Sequence, residues 1–210
     1  MRIIGGSAGG RRIVAPQGSV TRPTSDRARE AIFNSLAARG LPDGLVVVDA
    51  WCGSGAMGIE ALSRGAARAI FVEVSPGALD AVRQNLATCG VGDRATLVRA
   101  DALEWLGRTG GAGPDDRFDL LFADPPYEFD DWQLVAEASC GWACCSWVVA
   151  ESDRQVDLAP SFSTVRTRRY GRAWITLATA PEGLPVEPSP SAPPAGGPTP
   201  DDPWVPPIGS

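Results

Sequence analysis

The stretch Phe118-Asp-Leu-Leu-Phe-Ala-Asp124-Pro125-Pro126-Tyr127 runs an apolar segment straight into an acid, two prolines and a tyrosine. Consecutive prolines fix φ and restrict the residue before each, so the Asp124 carboxylate and the Pro125 carbonyl become a rigid pair of acceptors, with Pro126 closing the turn. Two fixed acceptors suit the exocyclic amino group of a nucleobase. They grip both N–H hydrogens, aim the nitrogen at an electrophilic methyl group and stabilise the positive charge that develops as the new bond forms. A charged acceptor of this kind contributes on the order of 1.5–3 kcal/mol. Tyr127 can stack on the base, worth roughly 1–3 kcal/mol. No imidazole base is needed, because the amine becomes acidic only as it is alkylated. That matters here, since the 19 basic residues are all Arg and both Lys and His are absent. The composition excludes Ser-His-Asp catalysis, imidazole metal sites, Schiff-base lysines and P-loop lysines.

Upstream, Asp49-Ala-Trp51-Cys52-Gly53-Ser54-Gly55-Ala-Met-Gly58 continues an apolar run that begins at Leu45 and opens a helical pattern. Gly53 and Gly55 let the backbone turn sharply and approach a ligand, and the following helix start offers unpaired N–H groups. Glu73, 20 residues after Gly53, ends the next apolar run, where a carboxylate can accept from both hydroxyls of a ribose. The spacing G-x-G-x-x-G also fits a nicotinamide dinucleotide, and alone it is a weak signal. Two acids favour S-adenosylmethionine instead. Asp49 would repel a pyrophosphate but could help hold a cationic methionine end. Asp101, in Arg-Ala-Asp-Ala, is placed to accept from an adenine amino group, or to serve as a helix N-cap.

The elements that must position these residues follow from periodicity. Residues 45–50, 69–74, 95–99, 118–123 and 147–150 read as strands, and residues 56–64, 77–88, 102–106 and 132–138 as helices. Alternation of this kind gives an α/β fold, a mostly parallel sheet with right-handed crossovers and helices on both faces. Residues 163–170 and 173–179 flank Gly171 as an antiparallel hairpin that completes seven strands. At the front, residues 2–4 and 11–14 form a short hairpin, and residues 25–36 a helix with Thr24 or Ser25 near its N-cap.

Net charge is -6, yet it is segregated. Residues 1–39 hold seven Arg against two acids, and residues 154–172 hold five Arg against one, so two basic segments bracket an acidic middle. The expected organisation is a basic extension over residues 1–40, facing a polyanion or simply solvated, a domain for S-adenosylmethionine chemistry over 41–180 and a disordered tail over 181–210, where 11 of 30 residues are Pro. Five unpaired-looking Cys and the lack of an apolar leader or membrane-length run imply a cytoplasmic protein with reduced thiols. No metal is expected, since Cys140-x-x-x-Cys144-Cys145 lacks a fourth ligand and metal spacing; these thiols read as buried and apolar. Trp105, Trp132, Trp142, Trp147 and Trp174 read as core or sheet packing.

With these motifs in order, the chain resembles the small-subunit ribosomal RNA methyltransferase D family over residues 1–172. Arg2-Ile-Ile-Gly-Gly with Gly10-Arg11-Arg12 is similar to that family's N-terminal hairpin, and Thr21-Arg22-Pro-Thr-Ser-Asp-Arg27-Ala-Arg29-Glu-Ala-Ile-Phe-Asn34 to its most specific segment. Gly53-Ser54-Gly55, residues 60–66, Phe-Val-Glu73 and Asp124-Pro125-Pro126-Tyr127 complete the set. The resemblance implies a Rossmann-like enzyme that moves a methyl group from S-adenosylmethionine to the N2 amino group of a guanine in bacterial 16S rRNA. Its substrate would be 16S rRNA in a partly or fully assembled 30S subunit, and the protein a monomer. By the same resemblance Glu73 and Asp101 hold ribose and adenine, Asp124 to Tyr127 hold the guanine, and Arg11, Arg12, Arg22, Arg27 and Arg29 face RNA or the rim of the site. The chain departs at Trp51 and Cys52, which would tighten the methionine pocket, and at Arg172-Ala173, where the family commonly has Asp-Thr. Asp-Pro-Pro-Tyr by itself leaves open a DNA adenine-N6 methyltransferase, and the fold alone a silent RNA-binding assembly factor.

Overall fold

The computed structural model of the 210-residue chain describes residues 1–16, 25–108, 118–140 and 145–181. The Pro-rich segment 182–210, Arg22, Trp142 and Cys144 lie outside the described residues. The central strand β1 (Val46–Ala50) is buried along its whole length, as a strand covered on both faces must be. Strand β2 (Arg68–Glu73) and then β3 (Ala95–Arg99) lie parallel on one side of it, β4 (Leu120–Ala123) and β5 (Trp147–Ser152) parallel on the other. Strands β6 (Ser163–Tyr170) and β7 (Ala173–Thr179) form the antiparallel hairpin, with β7 against β5. The sheet order is β3-β2-β1-β4-β5-β7-β6, so chain direction across the sheet reverses beside β1, and the crevice at the carboxyl ends of β1 and β4 is the natural ligand position.

The helices begin where their caps allow. Ser25 accepts from Ala28 N–H at 3.1 Å and starts α1 (Asp26–Ala37). Left-handed Gly55 starts α2 (Ala56–Ser63), and Ser75 with Pro76 starts α3 (Pro76–Cys89), which ends at left-handed Gly90. Asp101 starts α4 (Ala102–Leu106), and α5 (Trp132–Cys140) completes the set. One apolar cluster, with Phe33, Ile59, Phe71, Phe122 and Leu177, fills one face of the sheet; the other, with Val48, Leu106, Phe118, Leu121 and Trp132, fills the opposite face.

The N-terminal segment is stitched into the first of these clusters through Ile3, Ala8 and Ile13. Its expected hairpin is a single antiparallel bridge, Arg2 to Arg12, because α2 rather than a partner strand satisfies much of its backbone. Glu60, fully buried on α2, accepts from Ile4 N–H at 2.7 Å and Gly5 N–H at 2.9 Å, and Ser63 Oγ accepts from Ala8 N–H at 2.8 Å. Arg29 is fully buried too. It donates to the Arg2 carbonyl at 2.5 Å and to Asp26 at 2.8 Å, with its Nε 3.8 Å from Glu60. The expectation that Arg29 faces RNA is thereby corrected: its guanidinium is an internal tie that balances the Glu60 carboxylate and anchors the first residues of the chain. Cys140 is also corrected, being exposed, whereas Cys52, Cys89 and Cys145 are buried.

Candidate active site

Strand register decides which side chains meet. Asp49 pairs with Phe71 and Phe122, and Ala123 with Ala50 and Ala150. Since side chains alternate along a strand, Asp49, Glu73, Asp124 and Glu151 all project to one face of the sheet at its carboxyl edge. Two backbone positions shape that edge. Gly55 (φ 72) admits the left-handed turn, and at Gly58 an added Cβ would lie 2.5 Å from the Phe71 ring, so helix α2 approaches β2 only because no side chain intervenes.

The carboxylates are electrostatically frustrated. Asp49 is buried and its carboxyl is pushed up to about 7, chiefly by burial, against the opposing hydrogen bond that its Oδ2 accepts from Gly58 N–H at 2.8 Å, with the Glu73 charge adding to the rise. Burial, then the charges of Glu151 and Asp49, drive Asp124 well above the usual carboxylate range. Burial and the neighbouring charges of Asp49 and Glu73 likewise raise the Cys52 thiol well above its ordinary value, which makes it an inert pocket wall and not a nucleophile. Such a site gains most from a ligand bearing positive charge or concentrated N–H donors, and it opposes a pyrophosphate.

Glu73 already uses both oxygens, accepting from Gly53 N–H at 3.1 Å and Ser75 N–H at 2.9 Å, and so fixes the cofactor loop while presenting its remaining lone pairs. Asp101 is exposed and caps α4 by accepting from Glu104 N–H at 3.0 Å through Oδ1. The N-cap role is therefore present; an adenine contact would use Oδ2. Ser54, nearly buried, gives its carbonyl to Asn85 Nδ2 at 2.9 Å, and Asn85 also clasps Val14 through both N–H and C=O, tying the cofactor loop to the N-terminal segment.

The Asp-Pro-Pro-Tyr loop leaves β4 with Pro125 buried and Tyr127 exposed. The Pro126 carbonyl accepts from Phe129 N–H at 2.9 Å, whereas no described donor takes the Pro125 carbonyl. Phe129 is the fastening point of the loop. Its ring lies 5.5 Å from Trp51 and 5.6 Å, edge-on, from Trp132, and its carbonyl accepts from Arg154, which also pairs with Asp130 at 2.6 Å. Trp51 holds a left-handed backbone (φ 55), so the turn before Gly53 carries its aromatic ring toward the Asp-Pro-Pro-Tyr loop. The Tyr127 phenol is raised by burial and by Glu151, Asp124 and Asp153, and lowered by Arg172, whose charge reaches it from the β6–β7 turn.

Arg11 is exposed and donates to the Thr88 carbonyl; Arg12 and Arg27 are exposed as well. Residues that sequence reasoning overlooked are Glu151, Glu60, Asn85 and Phe129. Glu151 carried the same signal as Glu73, an acid directly after an apolar strand, but only the adjacency of β4 and β5 sets it beside Asp124.

A depression is continuous with this edge. It is small and open, and lies between Ile32, Met57, Phe122, Val149 and the acids Asp124 and Glu151.

The family model described as Conserved hypothetical protein 95 matches residues 1–179. The chain belongs to this family, that of the small-subunit rRNA methyltransferase D. It is 39% identical to the Ribosomal RNA small subunit methyltransferase D of Escherichia coli (strain K12) over 132 residues, 60% of either chain. With YlbH of Bacillus subtilis (strain 168), a protein provisionally named an rRNA methyltransferase, it shares 35% identity over 84% of this chain and 97% of that one. Among solved structures, Escherichia coli yhhF, provisionally named a methyltransferase, superposes with a TM-score of 0.73 at 30% identity, covering 86% of this chain and 97% of that chain. The chain therefore has the α/β, Rossmann-like methyltransferase fold.

Proposed function

We propose that the protein transfers a methyl group from S-adenosylmethionine to the exocyclic N2 of a guanine in small-subunit rRNA. The observation that carries this reading is that Asp124 shares a face with Asp49 and Glu73 while no described donor takes the adjacent Pro125 carbonyl. The names of the family relatives support rRNA as the substrate class.

The residues present fit this cofactor. Asp49, Asp124 and Glu151 form an acidic edge suited to a cationic sulfonium and ammonium, and the Gly53–Gly55 turn admits a close backbone approach. When bound, S-adenosylmethionine supplies an activated methyl group. Glu73 would accept from the ribose hydroxyls and Asp101 Oδ2 from the adenine amino group. Asp124 and the Pro125 carbonyl hold the two N2 hydrogens of a guanine turned out of its stack, with Tyr127 against the ring. With an activated methyl group supplied to the guanine nitrogen, positive charge would build on that nitrogen. Asp124 stabilises that charge and takes up the proton, which then passes to water.

The test is transfer of labelled methyl to unmodified 30S particles, with protein-free 16S rRNA and DNA in parallel and nucleoside analysis of the product. N2-methylguanosine in rRNA is expected; methylated adenine in DNA, or no transfer, rejects the reading. Asp124→Ala is expected to lower transfer by at least about 100-fold, the cost of losing such an acceptor, with cofactor affinity largely retained.

A further inference from the structure

Beyond the acidic edge, the same cleft continues into a shallow, open groove between α1 and the β6–β7 hairpin, lined on α1 by Ala31, Ile32 and Leu36. The two depressions share Ile32 and Val149, so they are neighbouring stations along one surface. The floor of the groove is apolar, built from Leu36 on α1 and from Ile175 and Leu177 on β7. Strand register explains its chemistry. Arg166 pairs with Leu177 and Arg168 with Ile175, so both guanidinium side chains stand on the same face as the apolar floor. Both arginines are exposed, and neither forms an ion pair with a described residue. Tyr170 lines the same space at the end of β6.

An apolar seat edged by unpaired guanidinium groups and an aromatic ring complements one class of ligand: a flat base whose flanking phosphates are negative. It does not suit the cofactor, whose cationic end is matched by the acids Asp49, Asp124 and Glu151 and not by guanidinium groups. We propose that this groove binds a nucleotide adjacent to the methylated one in single-stranded RNA, with its base on the apolar floor and its phosphates at Arg166 and Arg168. The inference rests on the RNA-methylating reading above and adds a specificity subsite to it. It also gives the second basic segment of the chain a defined role, since Arg154 is consumed in fastening the catalytic loop while Arg166 and Arg168 remain for the polyanion.

The experiment is equilibrium binding of a fluorescent single-stranded oligoribonucleotide of about six residues containing one guanine, measured against salt for three full-length proteins. The first is the wild type, the second carries Arg166→Gln with Arg168→Gln, and the third carries Ala31→Phe, which narrows the groove and leaves every charge in place. Melting temperature and cofactor binding control for folding. The expected result is a roughly tenfold weaker affinity in both variants. The slope of log K against log salt should fall by about 1.4 in the arginine variant, for two phosphate contacts at about 0.7 each, and stay unchanged in Ala31→Phe. Equal affinities, no binding by the wild type, or loss in the arginine variant alone would each overturn the base seat. So would variants that bind the oligoribonucleotide normally yet transfer poorly to 30S particles, a pattern that assigns the groove to a ribosomal protein. Methyl transfer measured alongside separates the two readings. Transfer with unaltered groove variants removes only the subsite, whereas groove-dependent RNA binding without transfer removes only the reaction.

Discussion

Replacing Asp49 by Asn should stabilise the protein, and by an amount that grows with pH. The carboxyl is buried at the end of β1 and titrates at about 7 in the folded chain, against 3.8 for an ordinary aspartate. A folded value above the unfolded one means that the native state binds the extra proton, so stability falls as pH rises from about 4 to about 7 and is flat above. Each unit of difference is worth about 1.4 kcal/mol, which gives a cost of about 1.6 kcal/mol at pH 5 and about 4 kcal/mol at pH 8. Asparagine keeps an oxygen to accept from Gly58 N–H and removes the charge. Relief of the neighbouring Asp124, whose carboxyl the Asp49 charge pushes up, acts in the same direction. Urea unfolding of both proteins from pH 5 to pH 8 at constant ionic strength should show the variant's advantage widening by roughly 2.5 kcal/mol. A variant no more stable than the wild type at pH 8, or a difference independent of pH, would refute the assignment of Asp49 as a charge held at a cost. The same variant should bind S-adenosylmethionine more weakly, since that cost is what a cationic ligand relieves.

Arg29→Met removes the more distant of the two guanidinium groups beside buried Glu60, which keeps Arg64 at 2.7 Å, and strips the Arg2 carbonyl and Asp26 of their donor; it should cost about 1–3 kcal/mol in chemical denaturation. Glu151→Gln removes a charge that raises Asp124, so the acid limb of the kcat/KM profile should move to lower pH; an unmoved limb would separate Glu151 from the catalytic carboxylate. Gly58→Ala drives a methyl group into the Phe71 ring and should destabilise by about 1–3 kcal/mol, read as a lowered melting temperature together with weaker cofactor binding.

Short-range chemistry was readable in the chain. The spans of β6, β7 and α4, the Ser25 cap and the Asp-Pro-Pro-Tyr turn depend on φ restriction, hydrogen bonding within a few residues and local periodicity, so residue order alone determines them. The opening hairpin was legible only in part: Glu60 and Ser63 took the backbone groups that a partner strand would have used, and that competition involves residues more than 50 positions away. Arg29 misled for a related reason. An arginine within a basic segment looks solvated until a buried carboxylate on another helix is known to face it. The acidic edge shows the division most sharply. Each acid could be seen at the end of an apolar run, yet which of them share a face depends on the parity between strands, and parity is fixed by the register of β1 with β2 and β4 and of β4 with β5. Sequence set the residue types and the local turns; tertiary structure chose which charges are forced together. Burial and Coulomb repulsion between side chains distant in the chain, which raise Asp49 and Asp124, exist only once the sheet has closed.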